Sequence, residues 1–214
     1  MIKLSHITSY LTCPRLSYYR FHFGERSFTE KHAVREIYLS LRRGLGVEWA
    51  KERARATSEV YDEEVFNKAL EKFKFSKALE ELKAIEWDTV FVSEKFGVTL
   101  IVDEIVEFRG EKFPLFLSLD APEKGVWFQD AIKAAIAALV AGFNRSIIYY
   151  TYSGDLRVAE VNFALRRKAL KLIERLKMIE NGFFPERKEN PYCTVCKFSN
   201  DCKSKRETFA SKFL

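Results

Sequence analysis

Three of the chain's four cysteines fall in Asn190-Pro191-Tyr192-Cys193-Thr194-Val195-Cys196-Lys197-Phe198-Ser199-Asn200-Asp201-Cys202, a C-x2-C-x5-C spacing after a proline. The fourth, Cys13, stands far upstream in Thr12-Cys13-Pro14-Arg15. Thiols split one plus three suggest a single tetrathiolate site that staples the N-terminal segment to the C-terminal one. Thiolate sulfur is a soft ligand, and four of them suit an iron–sulfur cluster or tetrahedral zinc. Two disulfides would need an oxidising compartment, and the opening Met1-Ile2-Lys3-Leu4-Ser5-His6 carries no apolar signal segment. Zinc ribbons pair one C-x2-C with a second, which this spacing does not repeat. The cluster is therefore the first reading and zinc the second.

At 214 residues and 47% hydrophobic, with 19 Phe and 9 Tyr, the chain can bury a sizeable core and is not a disordered polyelectrolyte. The longest apolar run, Ala131 to Phe143, is interrupted by Lys133 and is too short for a membrane span. A cytoplasmic protein without a membrane partner is expected. The net charge of +6 permits a polyanionic partner without demanding one.

Ser5 is a plausible cap for a first helix, which Cys13-Pro14 interrupts before Leu16 to Phe23 continues. Glu30 to Ala56 reads as helix with Val34, Ile37, Tyr38 and Leu41 on one face, broken near Gly44 and Gly46; Tyr61 to Ile85 reads as another. Thr89–Ser93, Val98–Phe108 and Phe113–Leu119 read as an antiparallel meander punctuated by Gly97 and Arg109-Gly110. An alanine-rich helix follows over Val126–Phe143. Strands at Ser146–Tyr152 and Leu156–Val161, then a helix from Asn162 to Gly182, lead into the cysteine loop and a charged tail. This order predicts a mixed α/β core preceded by a helical arm.

The start motif Ser5-x4-Tyr10-Leu11-x-Cys13-Pro14-Arg15, the terminal Cys193-x2-Cys196-x-Phe198-x3-Cys202, and an Asp-bearing strand followed by a Gln-headed helix resemble one family. It is the RecB-like, iron–sulfur, CRISPR-associated exonucleases (the Cas-four family) of the PD-(D/E)xK nuclease superfamily. The resemblance implies a restriction-endonuclease-like mixed-sheet core over 87–184, a helical region over 26–86, and an iron–sulfur subdomain from 1–25 and 185–214, all in one domain. It also implies a four-iron cluster on Cys13, Cys193, Cys196 and Cys202, with Mg²⁺ or Mn²⁺ at a catalytic site if that site is active. The partners it implies are DNA, single-stranded or with overhangs, and either the CRISPR integrase or an active relative.

Carried onto this chain, the resemblance assigns the first metal-binding acid to Asp103 and the helix-heading glutamine to Gln129, with Lys133 at the family's tyrosine position. The Glu-x-Lys of the next strand is replaced by Leu117-Ser118-Leu119, and Glu48 stands where relatives carry a histidine ligand. Asp120, Glu123 and Lys124 follow that strand and are the remaining candidates for the chemistry. Metal-assisted phosphodiester hydrolysis needs carboxylates to hold the ion and to stabilise developing charge. Impaired or lost nuclease chemistry is therefore expected on a retained fold, acting in spacer selection or trimming. The alternatives are an active metal-dependent single-strand exonuclease and a zinc-clamped interaction module. Arg15 and Arg20 beside Cys13, and Arg166, Arg167, Lys171 and Arg175 on the last long helix, are candidate phosphate contacts. A solvated helix face is the plainer explanation of the last four.

Overall fold

The computed structural model describes residues 1–24 and 27–204. The charged tail beyond residue 204 lies outside the described residues. Strand β1 (Ile2–Lys3) is followed by helices α1 (Leu4–Thr12) and α2 (Pro14–Phe23). Cys13 sits between the two helices in extended conformation, φ −160° and ψ 124°. Pro14 has no amide hydrogen with which to continue α1, and at the first position of α2 the missing donor costs nothing. Helices α3 (Glu30–Arg42) and α4 (Gly46–Thr57) are separated by Gly44, whose φ of +72° ends the first.

Helix α5 covers Glu63–Lys72, capped by Asp62, whose Oδ1 accepts from Val65 N at 3.1 Å. The single helix expected to Ile85 is not formed. A 3-10 turn occupies Lys77–Glu81, and strand β2 begins at Lys83 and runs to Ser93. Ser76 restarts the chain, its Oγ accepting from Ala78 N at 3.3 Å. Phe73, Leu79 and Leu82 mimic a helical face because all three converge on one core cluster through different local conformations. Strands β3 (Val98–Phe108) and β4 (Glu111–Ser118), helix α6 (Phe128–Val140), strands β5 (Arg145–Tyr150) and β6 (Asp155–Glu160) and helices α7 (Phe163–Glu180) and α8 (Ser199–Ser204) complete the chain.

The chain forms two compact units. In the first, within Ser27–Lys171, β2 pairs antiparallel with β3, β3 with β4, and β5 with β6, while β4 and β5 run parallel. A parallel step requires a crossover, and α6 supplies it. The alanines Ala134, Ala135 and Ala137 are buried, so the helix can approach the sheet closely. On the helical side, Tyr38 and Leu39 of α3 meet Val106, Leu115, Ile147 and Tyr149 of the sheet. Val34 and Ile37 pack with Ala50, Phe66 and Ala69 of α4 and α5. At roughly 1.5–3 kcal/mol for each fully buried large apolar side chain, these two clusters contribute substantially to the folding of this unit.

The second unit draws on both ends of the chain, from the described residues within Ile2–Arg26 and Leu172–Leu214. Its core is Leu16, Tyr19 and Phe198, with Cys13, Tyr18, Phe184, Tyr192, Cys196 and Cys202 packed against it. Tyr19 and Phe198 stack with ring centroids 5.0 Å apart and planes 10° from parallel.

Candidate functional site

Two constellations carry chemistry, one in each unit. In the unit built from the chain ends, all four cysteines line a single cavity, together with Arg15, Leu16, Tyr19, Tyr192 and Phe198. The proline-started 3-10 turn Pro191–Thr194 presents Cys193, while Cys202 belongs to α8. Cys202 N bonds Phe198 O at 2.9 Å, which closes the loop between the last two cysteines. All four are free thiols. Burial pushes the Cys196 thiol up, and the charges of Cys13, Cys193 and Cys202 push in the same direction. Burial, then the neighbouring Cys202, also raises the Tyr19 hydroxyl to about 12.

Arg15 is buried and turned toward the thiols. Its Nε donates to Pro185 O at 2.8 Å, and one NH group to Cys202 O at 3.1 Å and to Cys202 Sγ at 3.4 Å. The guanidinium also lies 4.4 Å from the Phe184 ring centroid. These donors of Arg15, which the sequence offered as a phosphate contact, point inward, where a cation stabilises thiolates. Arg20 is half-buried and donates to Ser9 Oγ. Among the described residues, no group of three or more His, Cys, Asp or Glu side chains is gathered at metal-binding distance. What links the four cysteines is their common cavity.

In the α/β unit the β3–β4 ladder ends at the Glu104–Leu115 pair. Just beyond it, Asp103 Oδ2 accepts from the amide of Leu117 at 3.1 Å, and Oδ1 from Arg35 Nε at 2.9 Å. Arg35 also pairs with Glu36 and with Asp88, so one guanidinium faces three carboxylates. Arg53 reaches the same group, 2.6 Å from Glu36 and 2.7 Å from Asp88. Asp88 adopts φ 54°, a left-handed conformation that aspartate tolerates better than most residues.

Burial would lower the basicity of Arg35, but Asp103, Asp88 and Glu36 outweigh it and hold the guanidinium above its usual range. Glu36 moves the other way from an ordinary ion-paired acid: its burial outweighs Arg35 and Arg53 and raises it. Deeper still, burial raises Glu104, which accepts from the Tyr38 hydroxyl and from Arg42 Nε at 3.2 Å.

Leu117 and Leu119, at the expected positions of a carboxylate and a lysine, are partly buried and packed into the two apolar clusters. Lys133 is buried, with Nζ donating to Leu117 O at 3.1 Å and paired with Asp130 at 2.8 Å. The Leu117 peptide is thus bracketed, its N–H by Asp103 and its C=O by Lys133.

Among the described residues, no hydrogen bond or ion pair joins the other sequence candidates to Asp103. Glu48 is exposed on α4; Asp120, Glu123 and Lys124 are exposed after β4; Gln129 is half-buried in the first turn of α6. Arg167, Lys171 and Arg175 are exposed on α7, and Arg166 bonds the Asn144 side chain. Sequence reasoning missed Arg35, Arg53 and Asp88. Adjacent Arg and Glu on a helix, and one Asp in a strand, carry no spacing signal until the fold brings them together.

A mixed sheet with a parallel step crossed by one helix is a restriction-endonuclease-like α/β fold. The fold is shared with a crystal structure from Eubacterium rectale described as a "Putative exonuclease", at TM-score 0.61 over 97% of this chain and 88% of that one. Sequence identity there is 15%, so the likeness is one of fold. A protein of Archaeoglobus fulgidus described as uncharacterized is 56% identical over 214 residues, covering 100% of both chains. The chain belongs to the same family as that archaeal protein. No protein-family model matches the chain. Among the described residues, no helix is long and apolar enough to cross a membrane.

Proposed function

We propose that this protein is a DNA-binding iron–sulfur protein of nuclease fold whose metal-dependent cleavage chemistry is lost or strongly impaired, acting in CRISPR adaptation. The observation that carries the reading is the cavity lined by Cys13, Cys193, Cys196 and Cys202, on a chain of nuclease-like fold. These four would hold a four-iron cluster, with Arg15 offsetting part of the thiolate charge through Cys202. The cluster would act as a structural clamp between the two chain segments that contribute ligands.

Loss of cleavage is supported by the other unit. Metal-assisted hydrolysis needs carboxylate oxygens free to bind an ion, and a lysine beside them. Here the Asp103 carboxylate is taken by Arg35 and the Leu117 amide, and the two flanking positions are leucines. DNA as partner is supported by the nuclease-like fold and by the net charge of +6. The link to adaptation, with the integrase or an active relative as partner, rests on the resemblance of the cysteine motifs.

The test begins with an anaerobic absorption spectrum and iron, sulfide and zinc analysis of the purified protein. A broad band near about 400 nm with about four irons per chain is expected. Stoichiometric zinc without sulfide would replace the cluster by a zinc clamp. Cleavage of single-stranded or overhanging DNA is then assayed with Mg²⁺ and Mn²⁺, where no turnover is expected. Mn²⁺-dependent cleavage abolished by Asp103→Ala would overturn the loss of chemistry. Affinity for DNA should fall steeply with salt as phosphate contacts release counterions; salt-insensitive or absent binding would remove DNA from the reading.

A further inference from the structure

The start of α6 carries two large rings that the fold leaves in water: Trp127 is 45% exposed and Phe128 49%. Trp127 is held at both its ring and its backbone. The Trp127 indole Nε1 donates to Asp120 O at 2.7 Å, and its backbone N donates to the Tyr150 hydroxyl at 3.2 Å. Tyr150 is itself fixed by donating to the buried Asp130 at 3.2 Å. The preceding loop is pinned by Arg157, which donates to Gly125 O at 2.7 Å. A cation lies against one of the rings, Lys168 Nζ 5.2 Å from the Phe128 ring centroid, while Arg157, paired with Asp155 at 3.0 Å, covers the buried Tyr150 beneath at 5.5 Å.

A surface that fixes one exposed aromatic ring, sets a second beside it and places a lysine against that second ring matches what unpaired nucleotides need. Every base offers a π-face, the phosphates ask for positive charge, and a ring whose rotamer is already fixed loses little entropy on stacking. A duplex does not present its base faces. A protein partner would be met by a patch depleted of lysine at its centre, whereas here Lys168 sits on the ring. Lys171, one turn further along α7, is exposed and extends the cationic edge.

We propose that Trp127 and Phe128, with Lys168 against the Phe128 ring and Arg157 pinning the loop before them, form a stacking platform for unpaired nucleotides of a DNA strand. The proposal rests on the DNA-binding reading above and names the form of DNA and the residues that grip it. It does not depend on catalysis or on the cysteine site.

The test compares labelled oligothymidine with a labelled duplex by fluorescence anisotropy, using wild type, Trp127→Ala/Phe128→Ala and Lys168→Ala. The double aromatic variant should bind oligothymidine about 10- to 100-fold more weakly while its duplex affinity changes little. Lys168→Ala should weaken oligothymidine binding and reduce its salt dependence. Trp127→Phe keeps a stacking ring, so it should retain affinity while losing the emission change that oligothymidine causes in wild type. That measurement stands even if the double variant fails to fold. Wild-type binding of oligothymidine undiminished in the double variant, or an emission change retained in Trp127→Phe, would overturn the platform and leave DNA binding intact. Absence of binding to either DNA by wild type would overturn the proposed function and the platform with it. Binding of both DNAs lost equally in the double variant would refute selectivity for unpaired nucleotides.

Discussion

Replacing Arg35 by alanine removes the one guanidinium that faces Glu36, Asp88 and Asp103 together. Glu36 and Asp88 keep Arg53 at 2.6 and 2.7 Å, so they remain compensated. Asp103 does not: only the Leu117 amide at 3.1 Å is left to it. Fully exposed ion pairs contribute about 0–1 kcal/mol, and stranding a buried charge costs about 3–5 kcal/mol. With side-chain exposures of 29% for Arg35 and 17% for Asp103, this pair falls between those limits. A loss of about 2 kcal/mol follows, which for a chain of this size lowers Tm by about 4–8 °C. The measurement is thermal unfolding by circular dichroism at neutral pH for wild type, Arg35→Ala, Asp103→Ala and the double variant. Arg35→Met is added because it keeps much of the packed stem and isolates the charge. The double variant should lose less than the sum of the singles, with a coupling of about 1 kcal/mol. Strict additivity, or a Tm change below about 1 °C for Arg35→Ala, would show that the pair does not hold the fold.

Three further outcomes are expected. Cys13→Ser should lower both the iron content and Tm, because a cluster tying Cys13 to Cys193, Cys196 and Cys202 closes a loop of most of the chain; full iron with unchanged Tm would remove Cys13 from the site. His6 is held down to about 4 by burial, then by Lys3, and its Nδ1 accepts from Lys3 N at 3.2 Å. Between about 6.5 and about 4 the unfolded chain binds a proton that the folded chain does not, so stability should fall with acidity across that window and level off below it. His6→Gln should flatten that slope in a series of Tm against pH, and an unchanged slope would assign it to other groups. Lys133→Met strands the fully buried Asp130 and should cost about 3 kcal/mol by urea unfolding. Adding Asp130→Asn should recover most of it, and no recovery would mean that the loss comes from packing rather than charge.

Helix–strand order was legible wherever a local signal decided it. Pro14 and Gly44 cut the N-terminal helices where expected, the alanines of α6 announced close packing, and Asn162 caps α7 through Leu165 N at 2.9 Å. The β2 boundary was not legible, since Phe73, Leu79 and Leu82 reach one core from a helix end and a 3-10 turn, at spacings that imitate a longer helix. The leucines at 117 and 119 could be read as a departure from a metal site. The partner of Asp103 could not, because Arg35 is separated from it by 68 positions and meets it only through the packing of α3 on the sheet. The exposure of Trp127 and Phe128 was hidden for a similar reason: two aromatics at a helix start read equally well as core.

The cysteine-bearing unit is assembled from the two ends of one polypeptide, and this has a consequence for biosynthesis. A ribosome adds about 5–20 residues each second. Cys13 therefore waits roughly 10–40 seconds, at that pace, for Cys193, Cys196 and Cys202 to be made. During that interval α1 and α2 are outside the channel without the C-terminal half of their core, and the Cys13 thiol is open to oxidants and to stray metal. The Ser27–Lys171 unit has all of its strands before those last cysteines appear, so it can fold first. If the site takes the proposed cluster, delivery of iron and sulfide would have to follow the synthesis of Cys202, and that delivery, rather than the folding of the sheet, would set the yield of loaded protein.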